Sequence, residues 1–329
     1  MEKQLKTRLH SILVLKKKLK NKENCEEIWF SRIFFVPLQQ IVKLSMIDLS
    51  QLHIEGEPQE CFEIRNKIVT TFSDLVFQEE GHRYTLNGKE LISVTRLAHD
   101  YRQPFDEIAQ SEAYAAKNGE TPEYWRKQWH YNSFRATTTG TLVHAFGESL
   151  GWLRNGHPEL ITEECLCKYH KETESLVPTR HKENAVIKFM NDLPSSYHLI
   201  LNEARVYSGL NEDKDKNPPT QFCGTFDLLY WYDGDGDPSK QGLIIMDYKT
   251  NSKLENSYAR SFGKMCLPPF QNMYDEDLSS YTIQLSAYQI PLEDIGLKVL
   301  GRKVIWLKDD ETYEKFDLPD ITETLRKTI

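Results

Sequence analysis

The sequence predicts an α/β fold, because segments with strand character and segments with helical character alternate along the 329-residue chain. The first observation is a pair of apolar segments, residues 224–232 and 243–250, which are rich in β-branched and aromatic side chains. Ten residues, mostly Asp, Gly and Pro, join them as a turn. The second observation is Asn87-Gly88, the most favourable dipeptide for a two-residue hairpin, between further strand-like segments. The third is the presence of segments with apolar residues at helical spacing before and after these strands.

A first part of the chain, residues 1–45, differs from the rest in its charge. It carries ten Lys or Arg against four Glu, a net charge of +6, which leaves −14 on the remainder of a chain whose total is −8. Its apolar stretch at residues 28–38 is interrupted by Arg32 and Pro37 and is too short for a membrane span. We interpret this part as a basic extension that is peripheral or follows from a mis-assigned start. A tract that contacts DNA or an anionic membrane surface is the alternative.

A second part, residues 46–130, is predicted to hold a β-hairpin and helices. The predicted strands are residues 75–77, 82–86 and 91–95. One helix is predicted over residues 106–118 with a stop at Asn118-Gly119, and another begins with Thr121 as N-cap and Pro122. Aromatic residues recur on one side of the second helix, and we predict them to lie in the core rather than to stack on bases. They are Tyr124, Trp125 and Trp129.

A third part, residues 131–329, is predicted to contain the functional core. Its elements are, in order, a helix that ends at Asn155-Gly156, a strand at 199–207, the two strands of the central hairpin, a helix at 277–290, a strand at 298–306, and a short strand and helix in the tail 311–329. The apolar face of the helix at 277–290 is formed by Leu278, Tyr281, Leu285 and Tyr288.

Composition restricts the class of protein. Charged residues make up 27% of the chain and hydrophobic residues 39%, which is typical of a globular rather than a disordered protein. The six cysteines have no regular spacing, and Cys165-x-Cys167 is too close for a usual zinc pair. We therefore interpret the cysteines as free thiols in a reducing compartment. The net charge argues against binding to nucleic acid by bulk attraction alone, although a local basic groove remains compatible with an acidic nuclease.

Each strand of the central hairpin carries one acid, Asp227 in the first and Asp247 in the second. Lys249 lies two residues after Asp247, so the two side chains point to the same face of their strand. Asp and Lys are unusual within such apolar segments, and a carboxylate pair beside a lysine suits a divalent metal and an anionic substrate. The sequence therefore predicts a site that binds a divalent metal and cuts a phosphodiester. A turn-capping Asp pair with Lys249 as its ion-pair partner is the structural alternative.

Further candidates lie on the neighbouring elements. His144 and Glu148 are four residues apart, so they share one face of the predicted helix. A neutral imidazole binds divalent metals, and a carboxylate one turn away can orient it or hold a water molecule. Glu203, in the strand at 199–207, is a further acid that could reach the site. Gln284 and Tyr288 lie one turn apart on the later helix.

These motifs follow one another in a recognisable order. They are Gly140-Thr141-x-x-His144-x-x-x-Glu148, Glu203, Gly224-Thr225-x-Asp227, Asp247-Tyr248-Lys249-Thr250 and Gln284-x-x-x-Tyr288. The set resembles the RecB-type branch of the PD-(D/E)XK nucleases, and residues 82–95 look like the segment that precedes it in phage-exonuclease-like members. The resemblance covers about residues 85–290. It implies a restriction-endonuclease-like α/β core, with a central mixed sheet flanked by helices and the active site at the opened end of the central strands.

The resemblance also implies roles for these residues. His144, Asp227, Asp247 and the carbonyl of Tyr248 would bind Mg²⁺ or Mn²⁺. Lys249 would orient the attacking water or stabilise the pentavalent phosphorus. Glu148 and Glu203 would hold water or tune His144. Gln284 and Tyr288 would contact the phosphate backbone or support Lys249. One subgroup holds an iron–sulfur cluster through four cysteines, three of them near the C-terminus, but here only Cys266 follows Lys249, so no cluster is expected.

The activity implied is that of a Mg²⁺-dependent deoxyribonuclease. An exonuclease acting on DNA ends in repair, recombination or phage DNA processing is favoured, because restriction-type endonucleases typically lack the Gly-Thr-x-x-His and Gln-x-x-x-Tyr motifs. The expected partner is DNA, as a single strand or the end of a duplex, in the cytoplasm of a bacterial or phage-infected cell. No membrane partner is expected, and the need for a helicase or an annealing protein is left open. The alternatives are a restriction-type or structure-specific endonuclease and a non-cleaving nucleic-acid-binding module.

Overall fold

A computed structural model of the chain describes residues 48–78, 81, 83–161, 177, 179–209 and 221–329. The prediction for residues 1–45 and the interpretation of Cys165 and Cys167 lie outside these residues. The three cysteines for which the structure gives a state, Cys61, Cys223 and Cys266, are free and buried, as predicted for them.

The described strands form one mixed sheet of eight. They are β1 (Leu75–Gln78), β2 (Arg83–Leu86), β3 (Lys89–Ser93), β4 (Tyr197–Tyr207), β5 (Phe222–Tyr232), β6 (Gly242–Lys249), β7 (Val299–Leu307) and β8 (Tyr313–Asp317). The order is β1-β2-β3-β5-β6-β7-β8, and β4 pairs with β5. The β3–β5 and β6–β7 pairs are parallel, and the other pairs are antiparallel. The predicted α/β class is confirmed.

Helices cover both faces of this sheet. They are α1 (Gln59–Thr71), α2 (Val94–Asp100), α3 (Glu107–Asn118), α4 (Pro122–Arg154), α5 (Arg180–Asn191), α6 (Ser257–Phe262), α7 (Asp277–Asp294) and α8 (Thr322–Thr328). Tyr248 and Lys249 are successive residues of β6 and so point to opposite faces. Tyr248 packs against Gly147 of α4 and Phe189 of α5, whereas Lys249 lies against Tyr281 of α7.

The N-terminal hairpin forms as predicted, with one correction. Asn87 and Gly88 both have positive φ, at 51° and 79°, as a two-residue hairpin turn requires. The strand after it, however, ends at Ser93, whose hydroxyl accepts a hydrogen bond from the Arg96 backbone N–H and caps α2. Val94 and Thr95, predicted as strand, therefore begin a helix, because the capping side chain satisfies its first free N–H groups.

Helix α4 is a single element of 33 residues. The Thr121 hydroxyl accepts from the Tyr124 N–H at 3.2 Å, so the predicted N-cap is confirmed. Residue 130, the predicted end of the second part, falls inside this helix. The strand β3 of the second part also pairs with β5 of the third part, so the two parts share one sheet.

The prediction that the aromatic residues of α4 lie in the core is wrong. Tyr124 is 42% exposed, and Trp125 and Trp129 are only half-buried. Tyr114 of α3 contacts both tryptophans with ring centroids 5.1 and 5.8 Å apart, and residues 131–137 are exposed. The N-terminal half of α4 therefore projects beyond the sheet, where α3 covers part of it.

The central strand β5 has an opening along one of its edges. Its other edge pairs with β4 from residue 223 to residue 232. On the open side, β5 pairs with β3 at Phe222 and Cys223 and with β6 from Leu228 onward. Because a strand has only two edges, residues 224–227 lie in a gap between β3 and β6. This gap contains the Gly224-Thr225-x-Asp227 motif.

Candidate metal and active site

Asp227 lies at the end of this gap. Its Oδ2 accepts a hydrogen bond from the Tyr248 N–H at 2.7 Å, so a side chain replaces the strand carbonyl that would otherwise pair there. The register that pairs Leu228 with Met246 would next bring Asp227 opposite Asp247. The two acids of the central hairpin are therefore brought together where its strands separate, and both are buried.

His144 reaches Asp227 from α4. Its Nδ1 lies 3.1 Å from Asp227 Oδ1. Burial alone would lower the pKa of His144, but the charge and the hydrogen bond of Asp227, together with the charge of Asp247, outweigh it and raise the pKa to about 9. Burial likewise opposes ionisation of Asp227, yet His144 and Lys249 hold the pKa of that carboxyl below its usual value. The pair is therefore an imidazolium and a carboxylate near neutral pH.

Glu203 completes the group of potential metal ligands. It lies opposite Asp227 on β4, between the pairs Asn202–Leu228 and Ala204–Phe226. One ligand atom each from His144, Glu203 and Asp227 lie within 4.8 Å of one another. Glu203 has a φ of 49°, an uncommon value for a non-glycine residue that tends to occur at functional sites. The structure thus places Glu203, rather than Asp247, in the tightest group with His144 and Asp227.

Asp247 and Lys249 form an ion pair beside this group. Burial and the charge of Asp227 raise the pKa of Asp247, which reflects the cost of two carboxylates close together. Burial opposes the ammonium of Lys249, but the surrounding acidic groups, Asp247 foremost, together outweigh it and raise the lysine pKa. Lys249 Nζ also lies 4.4 Å from the ring centroid of Tyr281. The sequence predicts Tyr281 only as part of the apolar face of its helix.

Gln284 and Tyr288 close the site from α7. The Gln284 Nε2 donates to the Tyr288 hydroxyl at 3.3 Å, and Tyr288 is 2% exposed. A Cβ at Gly224 would lie 2.8 Å from the Tyr288 ring, so this position needs glycine for the close approach. These contacts place Gln284 and Tyr288 in the wall of the cavity.

Glu148 and Tyr248 are also brought to the site. Glu148 is half-buried and lines the same cavity as His144, one turn earlier on α4. The Tyr248 N–H is occupied by Asp227, and its ring packs so closely on α4 that a Cβ at Gly147 would lie 2.7 Å from it. All residues predicted for the site therefore lie on its wall or immediately behind it.

The cavity in front of these residues has a volume of about 750 Å³. Among the described residues, four carboxylates line it, from Glu148, Glu203, Asp227 and Asp247, against the three cations of His144, Arg205 and Lys249. Arg205 was not predicted, although it lies two residues after Glu203 and so on the same face of β4. The Thr225 hydroxyl also lines the cavity and lies 3.0 Å from the Tyr84 hydroxyl. An anionic ligand would meet an excess of negative charge here unless a cation offset it.

The fold and this site define an α/β protein with a mixed sheet, flanked by helices, that carries a His- and carboxylate-lined cavity at a gap between central strands. A comparison of the chain with models of known protein families and with curated proteins found no match. Within the described part of the chain, no helix is both long enough and apolar enough to cross a membrane.

Proposed function

We propose that the protein is a metal-dependent deoxyribonuclease of the RecB-type PD-(D/E)XK family, and that it hydrolyses phosphodiester bonds from DNA ends. The observation that carries the proposal is the convergence of His144, Glu203 and Asp227 within 4.8 Å at the gap, with the Asp247–Lys249 pair in the same cavity. These residues, which lie together on one wall of the cavity, belong to the motifs whose order resembles that of such an enzyme.

The chemistry of the donor atoms fits a divalent cation. Carboxylate oxygens with one imidazole suit Mg²⁺ or Mn²⁺, although an imidazole is accepted by other metals as well. The raised pKa of Asp247 supports this fit, because a bound cation relieves the repulsion between its carboxylate and that of Asp227. His144, Glu203, Asp227 and Asp247 would hold the ion, and His144 would lose its proton when the ion binds. When bound, it lowers the pKa of a coordinated water and offsets charge on the phosphodiester.

The remaining residues act on the substrate and on the geometry of the site. Lys249 supplies a fixed positive charge in a buried position, where negative charge develops on the phosphorus oxygens. Arg205 and the Thr225 hydroxyl supply donors to phosphate oxygens at the cavity wall. Such contacts recognise the backbone and not the base sequence, which suits progressive trimming of a strand.

The proposal is tested by incubating the protein and Mg²⁺ with linear single-stranded, linear double-stranded and covalently closed circular DNA. Linear DNA is expected to be degraded to short products, while the closed circle persists and EDTA stops the reaction. Asp247→Asn should abolish cleavage, because it removes a carboxylate charge from the metal group. Asp237→Asn, in the exposed turn of the same hairpin, is the matched control and should leave cleavage unchanged.

Two results would contradict the proposal in different ways. If cleavage were undiminished in EDTA, or in the Asp247→Asn protein, the metal-dependent mechanism would be wrong. Discrete fragments from the closed circle would replace the exonuclease by the endonuclease alternative.

A further inference from the structure

The ammonium group of Lys249 has two partners in the structure. One is the carboxylate of Asp247 on the same strand, and the other is the face of the Tyr281 ring on α7, 4.4 Å from Nζ to the ring centroid. The Lys249 side chain is only 14% exposed, so water can replace these partners only in part. A cation over an aromatic face is attracted by the ring quadrupole, and the attraction grows when the pair is desolvated.

The two partners differ in what happens when a metal binds. Asp247 is a metal ligand in the proposed function, so its oxygens would turn from Lys249 to the ion. Tyr281 has no ligand atom in the metal group, and its position is fixed by other contacts. Its hydroxyl donates to Asn251 Oδ1 at 2.9 Å, while Asn251 Nδ2 donates to Asp277 Oδ2 at 2.7 Å. The Asn251 carbonyl also accepts from Trp306 Nε1 at 2.7 Å.

We propose that Tyr281 is a positioning residue that keeps the Lys249 ammonium in place when the Asp247 carboxylate is taken up by the metal. The inference rests on the proposed function and adds to it a residue outside the motifs. Without the aromatic face, the flexible lysine side chain would leave its place as its ion-pair partner turned away. Lys249 would then reach the developing negative charge in a smaller fraction of the bound complexes. The ring face performs this role, and the hydroxyl serves only to anchor the ring.

The test compares variants that separate the ring from the hydroxyl. Tyr281→Leu removes the ring face, and Tyr281→Phe keeps it while losing the hydrogen bond to Asn251. With Mg²⁺ and a linear single-stranded oligonucleotide, Tyr281→Leu should lower kcat by about threefold to thirtyfold, the range of a partly to fully desolvated cation–π contact. KM and the Mg²⁺ affinity measured by calorimetry should stay at the wild-type values. Tyr281→Phe, which keeps the ring face, should have a kcat within about twofold of the wild-type value.

A matched control is available on α6. Lys264 Nζ lies 5.0 Å from the ring centroid of Tyr258, but this tyrosine is 56% exposed. Tyr258→Leu removes a similar lysine–ring contact from the surface and should leave kcat unchanged. If Tyr281→Leu does not fold, Tyr281→Met replaces it, because its unbranched side chain fills irregular space without an aromatic face.

A second measurement does not depend on cleavage. The protein is treated under native conditions with acetic anhydride, which acetylates free amines and releases acetate, with and without Mg²⁺. It is then digested, and the acetylation rate of the peptide that contains Lys249 is followed by mass spectrometry. In wild type, Lys249 should stay protected in both conditions, because the ring remains when Asp247 turns to the ion. In Tyr281→Leu, adding Mg²⁺ should increase the acetylation rate of this lysine.

The outcomes separate the inference from the function on which it rests. A wild-type protein that neither binds Mg²⁺ nor cleaves the oligonucleotide overturns the proposed function and the role of Tyr281 with it. Cleavage with equal kcat in wild type and Tyr281→Leu overturns the role of Tyr281 alone. An equal loss in Tyr281→Phe and Tyr281→Leu also overturns it, because the hydrogen bond to Asn251 would then be the feature that matters.

Discussion

At the scale of single residues, the charges of the site are strongly interdependent. His144 is held as a cation chiefly by Asp227, and Lys249 chiefly by Asp247. Asp247 resists ionisation because it is buried and because Asp227 is already charged. Each of these groups has its pKa moved by burial and by a named neighbour, which is typical of functional sites. In the metal-free site, the charged side chains therefore balance one another, and a bound divalent cation would change these ion pairs.

The His144–Asp227 pair predicts how stability depends on pH in the metal-free protein. The pKa of His144 is raised from 6.5 to about 9 in the folded state. The folded protein therefore binds a proton more tightly than the unfolded chain, and this stabilisation is complete below pH 6.5 and lost as pH rises through 9. The free energy of unfolding in EDTA should fall by up to about 3 kcal/mol across this window.

Urea unfolding at pH 6, 7.5 and 9 measures this effect. His144→Gln should remove most of the slope, because it removes the titrating imidazole. The control is His198→Gln, which breaks a His–Asp pair at 3.2 Å in which Asp233 is 33% exposed. A slope that survives in His144→Gln would show that other groups cause it.

At the scale of elements, the close approach of α4 to β6 sets the site. Helix α4 supplies His144 and Glu148, and β6 supplies Asp247 and Lys249. Between them, the ring of Tyr248 lies directly on Gly147, with no room for a Cβ. The spacing of these two elements therefore fixes the distance between the imidazole and the carboxylates.

Gly147→Ala should therefore destabilise the protein and weaken its metal affinity. The added methyl would lie 2.7 Å from the Tyr248 ring, so the helix or the strand must shift, at a cost of about 1–3 kcal/mol. Thermal unfolding and Mg²⁺ titration measure the two effects. The control is Gly301→Ala in β7, where a Cβ would have no heavy atom within 4 Å and should be tolerated. Equal melting temperatures for the two variants would contradict the packing argument.

At the scale of the whole molecule, the described chain from residue 48 is tied into the sheet. The buried Arg65 of α1 donates to the carbonyls of Leu52 and Ile200, at 2.6 and 2.8 Å, and pairs with Glu57. These bonds join the chain before α1 to β4, the strand that carries Glu203.

Removal of the basic extension tests its interpretation as peripheral. A chain that begins at Met46 should fold, melt at the same temperature and cleave DNA as the full chain does. Differential scanning calorimetry and the linear-DNA assay measure these properties side by side. A lower melting temperature or a loss of solubility would instead show that the apolar stretch at residues 28–38 packs on the folded core.

Features that depend on near neighbours along the chain could be predicted from the sequence. The hairpin at Asn87-Gly88, the N-cap at Thr121 and the shared face of Asp247 and Lys249 follow from backbone geometry over two to four residues. Alternation of apolar segments likewise predicted the α/β class, because each element buries a face with its own period.

Contacts between residues far apart in the chain depend on how the elements pack, and the sequence did not predict them. Glu203 joins His144 and Asp227 because β4 pairs with β5 opposite the gap, and Tyr281 lies under Lys249 because α7 packs on that face of β6. The aromatic residues of α4 have the spacing of a core, yet Tyr124 is exposed because this half of the helix projects past the sheet. Spacing along a chain fixes which side chains share a face, but it carries no information on what that face will contact, and burial is decided by that contact.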